Sequence, residues 1–127
     1  MYYTFDHATG EALDRNKYYW AHTEMIAASG IFAAYYSDKD PEKSAEYMRW
    51  YDQVWTHSLK YLVDTDKGGW YVMTNVFNLR VDNHSTDDHP SKVKCYPSKT
   101  DYHAVSACFE LTNAIEFYYN KVSPTRG

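Results

Sequence analysis

The sequence is poor in residues that mark several common protein classes. Its 127 residues include only 2 cysteines, 5 glycines and 4 prolines. Two cysteines make a poor disulfide framework, so we expect a cytoplasmic protein in which Cys108 is a small core residue. No apolar run approaches the roughly 20 residues of a membrane-spanning helix, and no membrane partner is expected. The start, MYYTFDHATG, lacks the basic and apolar pattern of a signal peptide.

Blocks of like charge are also missing. The net charge is −4, and acidic and basic residues are interspersed. Because nucleic-acid-binding proteins normally carry a basic stripe, no nucleic-acid partner is expected. There is no glycine-rich phosphate loop, nucleophile elbow or paired-cysteine zinc site. His84, Asp87, Asp88 and His89 are metal-ligand types, but their spacing matches no metal motif, so we expect neither a metal nor another cofactor.

Aromatic residues, in contrast, are abundant. They form 18% of the chain, with 14 Tyr and 4 Trp. These side chains combine a flat apolar face with a polar group, which suits a concave site for polar ligands such as sugars. A helix-packing core rich in large rings would explain the same composition. The composition leaves both interpretations open.

Helical periodicity dominates the chain and predicts an all-α fold. A first helix is expected over 17–36 with Asn16 as its N-cap. A second is expected to follow the cap Asp40 as far as residue 63, and a third to cover 101–120. Short β-hairpins are expected before the first and after the second helix, and residues 80–98 read as a long loop. Three helices and two hairpins make a weak core, which points to a missing remainder.

Trp20 and Glu24 form the first candidate site. They are four residues apart and therefore share one face of the predicted helix. An aromatic platform beside a carboxylate can stack on a sugar ring and accept its hydroxyl groups. His22 lies between them in sequence and points elsewhere. The structural alternative is a core tryptophan with a surface glutamate.

His103 is the best candidate for a catalytic residue. It falls in the first turn of the third helix, directly after the long loop, where catalytic groups are often placed. The positive end of the helix favours a neutral imidazole, which can abstract a proton next to a carbonyl group. Asp101 is expected to be the N-cap of this helix. A structural role for a single histidine at a helix start is the competing interpretation.

Three segments, KYYWAHTEMIAA, DKGGWYV and KTDYHAVSACFE, resemble the N-acylglucosamine 2-epimerase superfamily, especially its mannose isomerase and aldose–ketose isomerase branch. The similarity runs in the same order over about 2–119. It implies that residues 1–127 are the C-terminal portion of one (α/α)6-barrel catalytic domain. Such barrels are built from six helix pairs and bind their sugar in a central cleft.

The resemblance also implies roles for individual residues. His103 matches a catalytic histidine that moves a proton between C1 and C2 of the sugar through an enediol intermediate, without a metal. Trp20 and Glu24 match residues that line the sugar cleft, and Lys99 occupies a position that can reach the substrate. The expected substrate is a monosaccharide of the mannose or glucosamine type.

The chain departs from the family pattern in one important respect. A complete member is much longer and takes a second catalytic histidine from a helical His-x-x-Glu segment, which this sequence does not contain. We therefore expect a truncated or separately encoded piece that is inactive alone. Its partner would be the missing N-terminal part of the barrel or another copy of the chain. The alternative is a non-catalytic carbohydrate-binding or helical interaction module. A glycoside hydrolase would need two carboxylic acids, of which Glu24 alone can be placed.

Overall fold

The computed structural model describes residues 4–81, Lys94 and residues 102–122, the last four by their backbone. Over these residues the structure is mostly helical and has three helices, as predicted. In chain order the elements are β1 Thr4–Phe5, β2 Ala12–Asp14, β3 Lys17–Tyr18, α1 Tyr19–Tyr36, α2 Pro41–Tyr61, β4 Met73–Thr74 and α3 Tyr102–Val122. Among the described residues, no helix combines the length and the apolar character that crossing a membrane requires.

The start of α2 follows the prediction from its sequence. The carboxylate of Asp40 accepts a hydrogen bond from the backbone N–H of Lys43, with 3.0 Å between Oδ1 and N. Pro41 occupies the first helical position, where its missing N–H removes no hydrogen bond. Glu42 in the first turn interacts favourably with the helix dipole. Asp40 is therefore the N-cap of α2.

The start of α1 differs from the prediction. The helix begins at Tyr19, so the assignment of Asn16 as its N-cap is wrong. The residues between them form β3, which pairs antiparallel with β4. The backbone N–H of Tyr19 continues this pairing with a 3.1 Å hydrogen bond to the carbonyl of Val72. A long-range strand pair thus occupies backbone groups that a local helical pattern assigns to the helix.

The described residues belong to two compact units. The first takes its residues from Met1–His22 and Thr56–Thr100. It contains two small antiparallel ribbons, β1 with β2 and β3 with β4. The first is the hairpin predicted before the first helix, whereas the second joins segments distant in sequence and was not predicted. Its core includes the fully buried Leu62 and the nearly buried Tyr19 and Tyr71.

The second unit takes its residues from Thr23–Trp55 and Asp101–Gly127 and is built from the three helices. α1 and α2 are antiparallel. The hydroxyl of Ser44 at the start of α2 donates a 2.7 Å hydrogen bond to the carbonyl of Ala33 near the end of α1. Farther along α2, the ring of Tyr47 stacks on that of Phe32, with 5.0 Å between centroids.

The buried face of α3 differs from the predicted one at position 108. Ala107 is buried, whereas Cys108 is exposed, so the prediction of Cys108 as a core residue is wrong. Successive residues of a helix are rotated by about 100°, so a small error in phase moves a side chain out of the core. α3 also exposes five large apolar side chains: Tyr102, Val105, Phe109, Ile115 and Phe117.

Candidate functional site

A histidine–carboxylate pair joins α1 and α3 within the second unit. Nδ1 of His103, at the start of α3, donates a hydrogen bond to Oε1 of Glu24 in α1, and the two atoms are 2.7 Å apart. The side chains are partly open to solvent, with 35% of His103 and 49% of Glu24 exposed. The pair is therefore accessible to a soluble ligand.

This contact determines the chemistry that the imidazole of His103 can perform. An ionised carboxylate only accepts hydrogen bonds, so Nδ1 must carry a proton. In the neutral ring the lone pair is then on Nε2, which is the atom that can act as a base. The adjacent negative charge stabilises the ring while it holds the abstracted proton. Glu24 and His103 together have the properties of a general acid–base pair.

The other predicted site residues are not part of this pair. Trp20 is the second residue of α1, half-buried, and belongs to the first unit. Lys99 lies outside the described residues, as does the group His84, Asp87, Asp88 and His89. In the part of the chain that the structure describes, no three metal-ligating side chains come together. Of the predicted residues, the structure brings His103 and Glu24 into contact, which the sequence did not indicate because they belong to different helices.

A groove of about 710 Å³ also lies in the second unit, but the pair does not line it. Its wall is largely apolar and is formed by Gly30, Ala33, Ala34, Ser37, Pro41, Ser44, Ala45, Met48, Arg49, Tyr51, Asp52, Leu111 and Ile115. A monosaccharide needs many hydrogen-bonding partners, which this wall offers only at a few positions. The groove is therefore a poorer candidate for a sugar site than the partly exposed pair.

The first unit contains a second histidine cluster. The rings of His22 and His57 stack with 5.2 Å between their centroids. Nδ1 of the buried His22 donates a 2.9 Å hydrogen bond to the carbonyl of Tyr18. Among the described residues, the buried Nε2 of His57 has no hydrogen-bond partner. Burial lowers the pKa of both rings, to about 4 for His57, so both are neutral at physiological pH.

Asp64 is the centre of a turn in the first unit and has a structural role. Its carboxylate accepts hydrogen bonds from Lys94 Nζ at 2.5 Å and from the hydroxyl of Tyr71 at 3.0 Å. The lysine contact and backbone N–H groups of the turn hold the pKa of Asp64 well below its usual range. Gly68 and Gly69 close the turn with positive φ, which favours glycine. These contacts explain the DKGGW segment without a catalytic role.

Comparisons with known proteins show the family to which the chain belongs. The family model described as N-acylglucosamine 2-epimerase (GlcNAc 2-epimerase) matches residues 1–107, which include Trp20, Glu24 and His103. The D-mannose isomerase of Marinomonas mediterranea is 29% identical over 106 residues, covering 84% of this chain and 23% of that protein. A crystal structure of D-mannose isomerase has a TM-score of 0.61 at 29% identity over 82% of this chain and 23% of the solved one.

The fold also resembles that of a second sugar enzyme. Cellobiose 2-epimerase from Bacillus thermoamylovorans B4167 has a TM-score of 0.50 at 23% identity, covering 88% of this chain and 24% of the solved one. The chain thus spans about a quarter of the length of the relatives that it matches. It belongs to the N-acylglucosamine 2-epimerase family, in the branch of the mannose isomerases.

Proposed function

We propose that this chain supplies an acid–base histidine, His103, to a sugar isomerase or 2-epimerase that acts on mannose- or glucosamine-type sugars. The hydrogen bond between His103 and Glu24 is the observation that carries the proposal. It is supported by family membership, since both residues lie within the matched range. In this proposal the three helices form part of an (α/α)6 barrel, and residues 1–127 are one portion of a single catalytic domain.

The reaction requires only the movement of protons on an open-chain sugar. Nε2 of His103 removes the proton from C2 of the aldose, and the electrons of that C–H bond form a C1–C2 double bond. The carbonyl oxygen at C1 takes up the negative charge of the resulting enediolate. Transfer of the O2 proton to O1 together with return of the abstracted proton to C1 gives a ketose, whereas protonation of the opposite face of C2 with O1 again a carbonyl oxygen gives the epimer. Glu24 holds the imidazole through Nδ1 in both directions.

The proposed sugar contacts are Trp20, Glu24 and Lys99. Glu24 can serve the sugar and the histidine together, because Oε1 holds His103 and Oε2 is an acceptor for a sugar hydroxyl. Trp20 would stack on the C–H face of the sugar, and Lys99 would donate to an oxygen. The roles of Trp20 and Lys99 rest on the family resemblance.

The reaction also needs a second proton carrier. The family resemblance assigns that role to a His-x-x-Glu segment, and this sequence contains none. We therefore expect the chain to be inactive alone and to act with the remaining part of a barrel or with another copy of itself.

Complementation tests this function. The chain would be co-expressed with the part of the Marinomonas mediterranea D-mannose isomerase that it does not cover. Conversion of D-mannose to D-fructose and exchange of the C2 proton in D2O would be followed by NMR. We expect His103→Asn to abolish both conversion and exchange. The exposed His7 provides the matched control, and His7→Asn should retain both activities.

Three outcomes would contradict parts of the proposal. Near-normal turnover with His103→Asn would remove His103 from the reaction. Steady turnover by the isolated chain would show that no second carrier from elsewhere is needed. Sugar binding without C2 exchange in every combination would favour a non-catalytic carbohydrate-binding module.

A further inference from the structure

Gly30 lies in the interior of α1, where glycine is unfavourable. Apart from proline, glycine is the residue that least favours a helix interior, because its backbone loses the most freedom on folding. Among the described residues, the glycines with positive φ are Gly10, Gly68 and Gly69, and Gly30 is not one of them. Its backbone conformation therefore does not require glycine, and the reason for its presence must be steric.

The neighbours of Gly30 provide that reason. A Cβ atom built at this position would overlap Cδ1 of Leu111 on α3 and would lie 3.4 Å from Cδ2 of Tyr51 on α2. Ala27 and Ala33 on the same helix are buried as well and continue this surface of small residues. The missing side chain of Gly30 leaves space against α1 that the side chains of Leu111 and Tyr51 occupy.

The contact between Gly30 and Leu111 bears on the candidate catalytic pair, because α1 and α3 run parallel. Glu24 comes before Gly30 along α1. Their respective partners on α3, His103 and Leu111, come in the same order. Farther on, the ring of Tyr35 meets that of Tyr118 with 6.1 Å between centroids. Helices are stiff, so the separation of α1 and α3 at Gly30 affects their separation at Glu24 and His103.

We propose that Gly30 is a positioning residue, which keeps α1 and α3 close enough for Glu24 to hold the imidazole of His103. The inference rests on the proposed function for its catalytic meaning. The hydrogen bond between the pair is short, at 2.7 Å. Moving the helices apart by about 1 Å would stretch it beyond hydrogen-bonding distance. The side chain at position 30 thereby controls which nitrogen of His103 carries the proton.

The first experiment measures the protonation of the His103 ring in the full chain. ¹⁵N NMR would be recorded well above the ordinary histidine pKa of about 6.5, where a neutral ring shows which nitrogen is protonated. In the unchanged chain we expect Nδ1 of His103 to be the protonated nitrogen. In Gly30→Ala we expect the Nδ1 shift to move toward that of an unprotonated nitrogen. Leu111→Ala alone should leave the spectrum of His103 unchanged.

Rescue distinguishes positioning from a general loss of structure. Gly30→Ala combined with Leu111→Ala removes the overlap and should restore the Nδ1 shift of His103. If Gly30→Ala alone prevents folding, Leu111→Phe adds volume to the same contact from α3 and should produce the same change in His103. The inference would be overturned if both Gly30→Ala and Leu111→Phe fold and neither changes the spectrum of His103. The side chain at position 111 would then absorb the added volume without any shift of the helices.

Kinetics of the complemented enzyme provide the functional readout. We expect Gly30→Ala to lower kcat about tenfold to a hundredfold with little change in KM, since misplacement by about 1 Å affects the chemical step. The double variant should recover most of this loss. Normal turnover in His103→Asn would contradict the proposed function, whereas an unchanged Nδ1 shift in Gly30→Ala would contradict the positioning role. The two failures are therefore distinguishable.

Discussion

The hydrogen bond between Glu24 and His103 indicates that Glu24 holds the imidazole of the candidate catalytic residue. This is a further role, because from the sequence Glu24 is expected only as a sugar contact. The sequence pairs Glu24 with Trp20 because the two share a helical face, and it treats His103 separately. Helical spacing relates residues within one helix and contains no information on which two helices come together. The separate residues could thus be selected from the sequence, but their contact required the tertiary structure.

Replacing Glu24 by glutamine tests the contribution of the carboxylate. The amide of Glu24→Gln can donate a hydrogen bond to Nδ1 of His103. This contact favours the neutral ring with its proton on Nε2, which leaves Nε2 unable to act as the base. We expect kcat of the complemented enzyme to fall about a hundredfold or more. The exposed Glu110 on α3 gives the control Glu110→Gln, which should retain its activity. Comparable rates for both variants would exclude a special role for Glu24.

At the scale of single elements, local signals predict helix starts only where no distant segment competes. α2 starts as expected because Asp40, Pro41 and Glu42 all act within one turn of backbone. α1 starts later than expected because β4, distant in sequence, pairs with the residues that precede it. α3 shows a third case, in which the helix is predicted but its buried face is not, so that Ala107 takes the place expected for Cys108.

Removal of the α2 cap tests this account quantitatively. Asp40→Ala leaves the backbone N–H of Lys43 without its carboxylate acceptor. We expect the free energy of unfolding to fall by about 1 kcal/mol, the usual effect of losing an N-cap. Urea unfolding followed by circular dichroism measures the change. Asp38→Ala, at an exposed position in the same turn, should have little effect, and equal losses in both variants would argue against the cap.

For the molecule as a whole, the surplus of aromatic residues finds much of its explanation in packing. Rings of α1 and α2 stack on one another, as Tyr36 does on Tyr47. Cations cover others: Lys39 Nζ lies 3.2 Å from the ring centroid of Tyr35, and Arg80 lies 3.7 Å from that of Tyr71. These contacts support the packing interpretation of the composition, and the role of Trp20 as a sugar contact stays a proposal. The composition shows that aromatic residues are abundant, but it does not show which of them would contact a ligand.

The two units are expected to respond differently to acid, because the stacked pair of the buried His22 and the partly buried His57 belongs to the first. Burial lowers the pKa of His57 to about 4, whereas an unfolded histidine titrates near about 6.5. Between these values the unfolded chain binds more protons, so the stabilisation is complete above about pH 6.5 and is lost as the pH falls toward about 4. The pKa of His22 is lowered in the same direction by burial.

Amide hydrogen exchange at about pH 7 and about pH 5 would measure this difference residue by residue. As the pH falls, exchange rates corrected for their intrinsic pH dependence should rise in the first unit more than in the second. His57→Gln removes one titrating ring and should weaken this effect, while His7→Gln, at an exposed position, should not. Equal loss of protection in both units, unaltered by His57→Gln, would mean that the stacked pair does not govern the acid response. A selective loss in the first unit would instead identify the His22–His57 pair as its acid-labile contact.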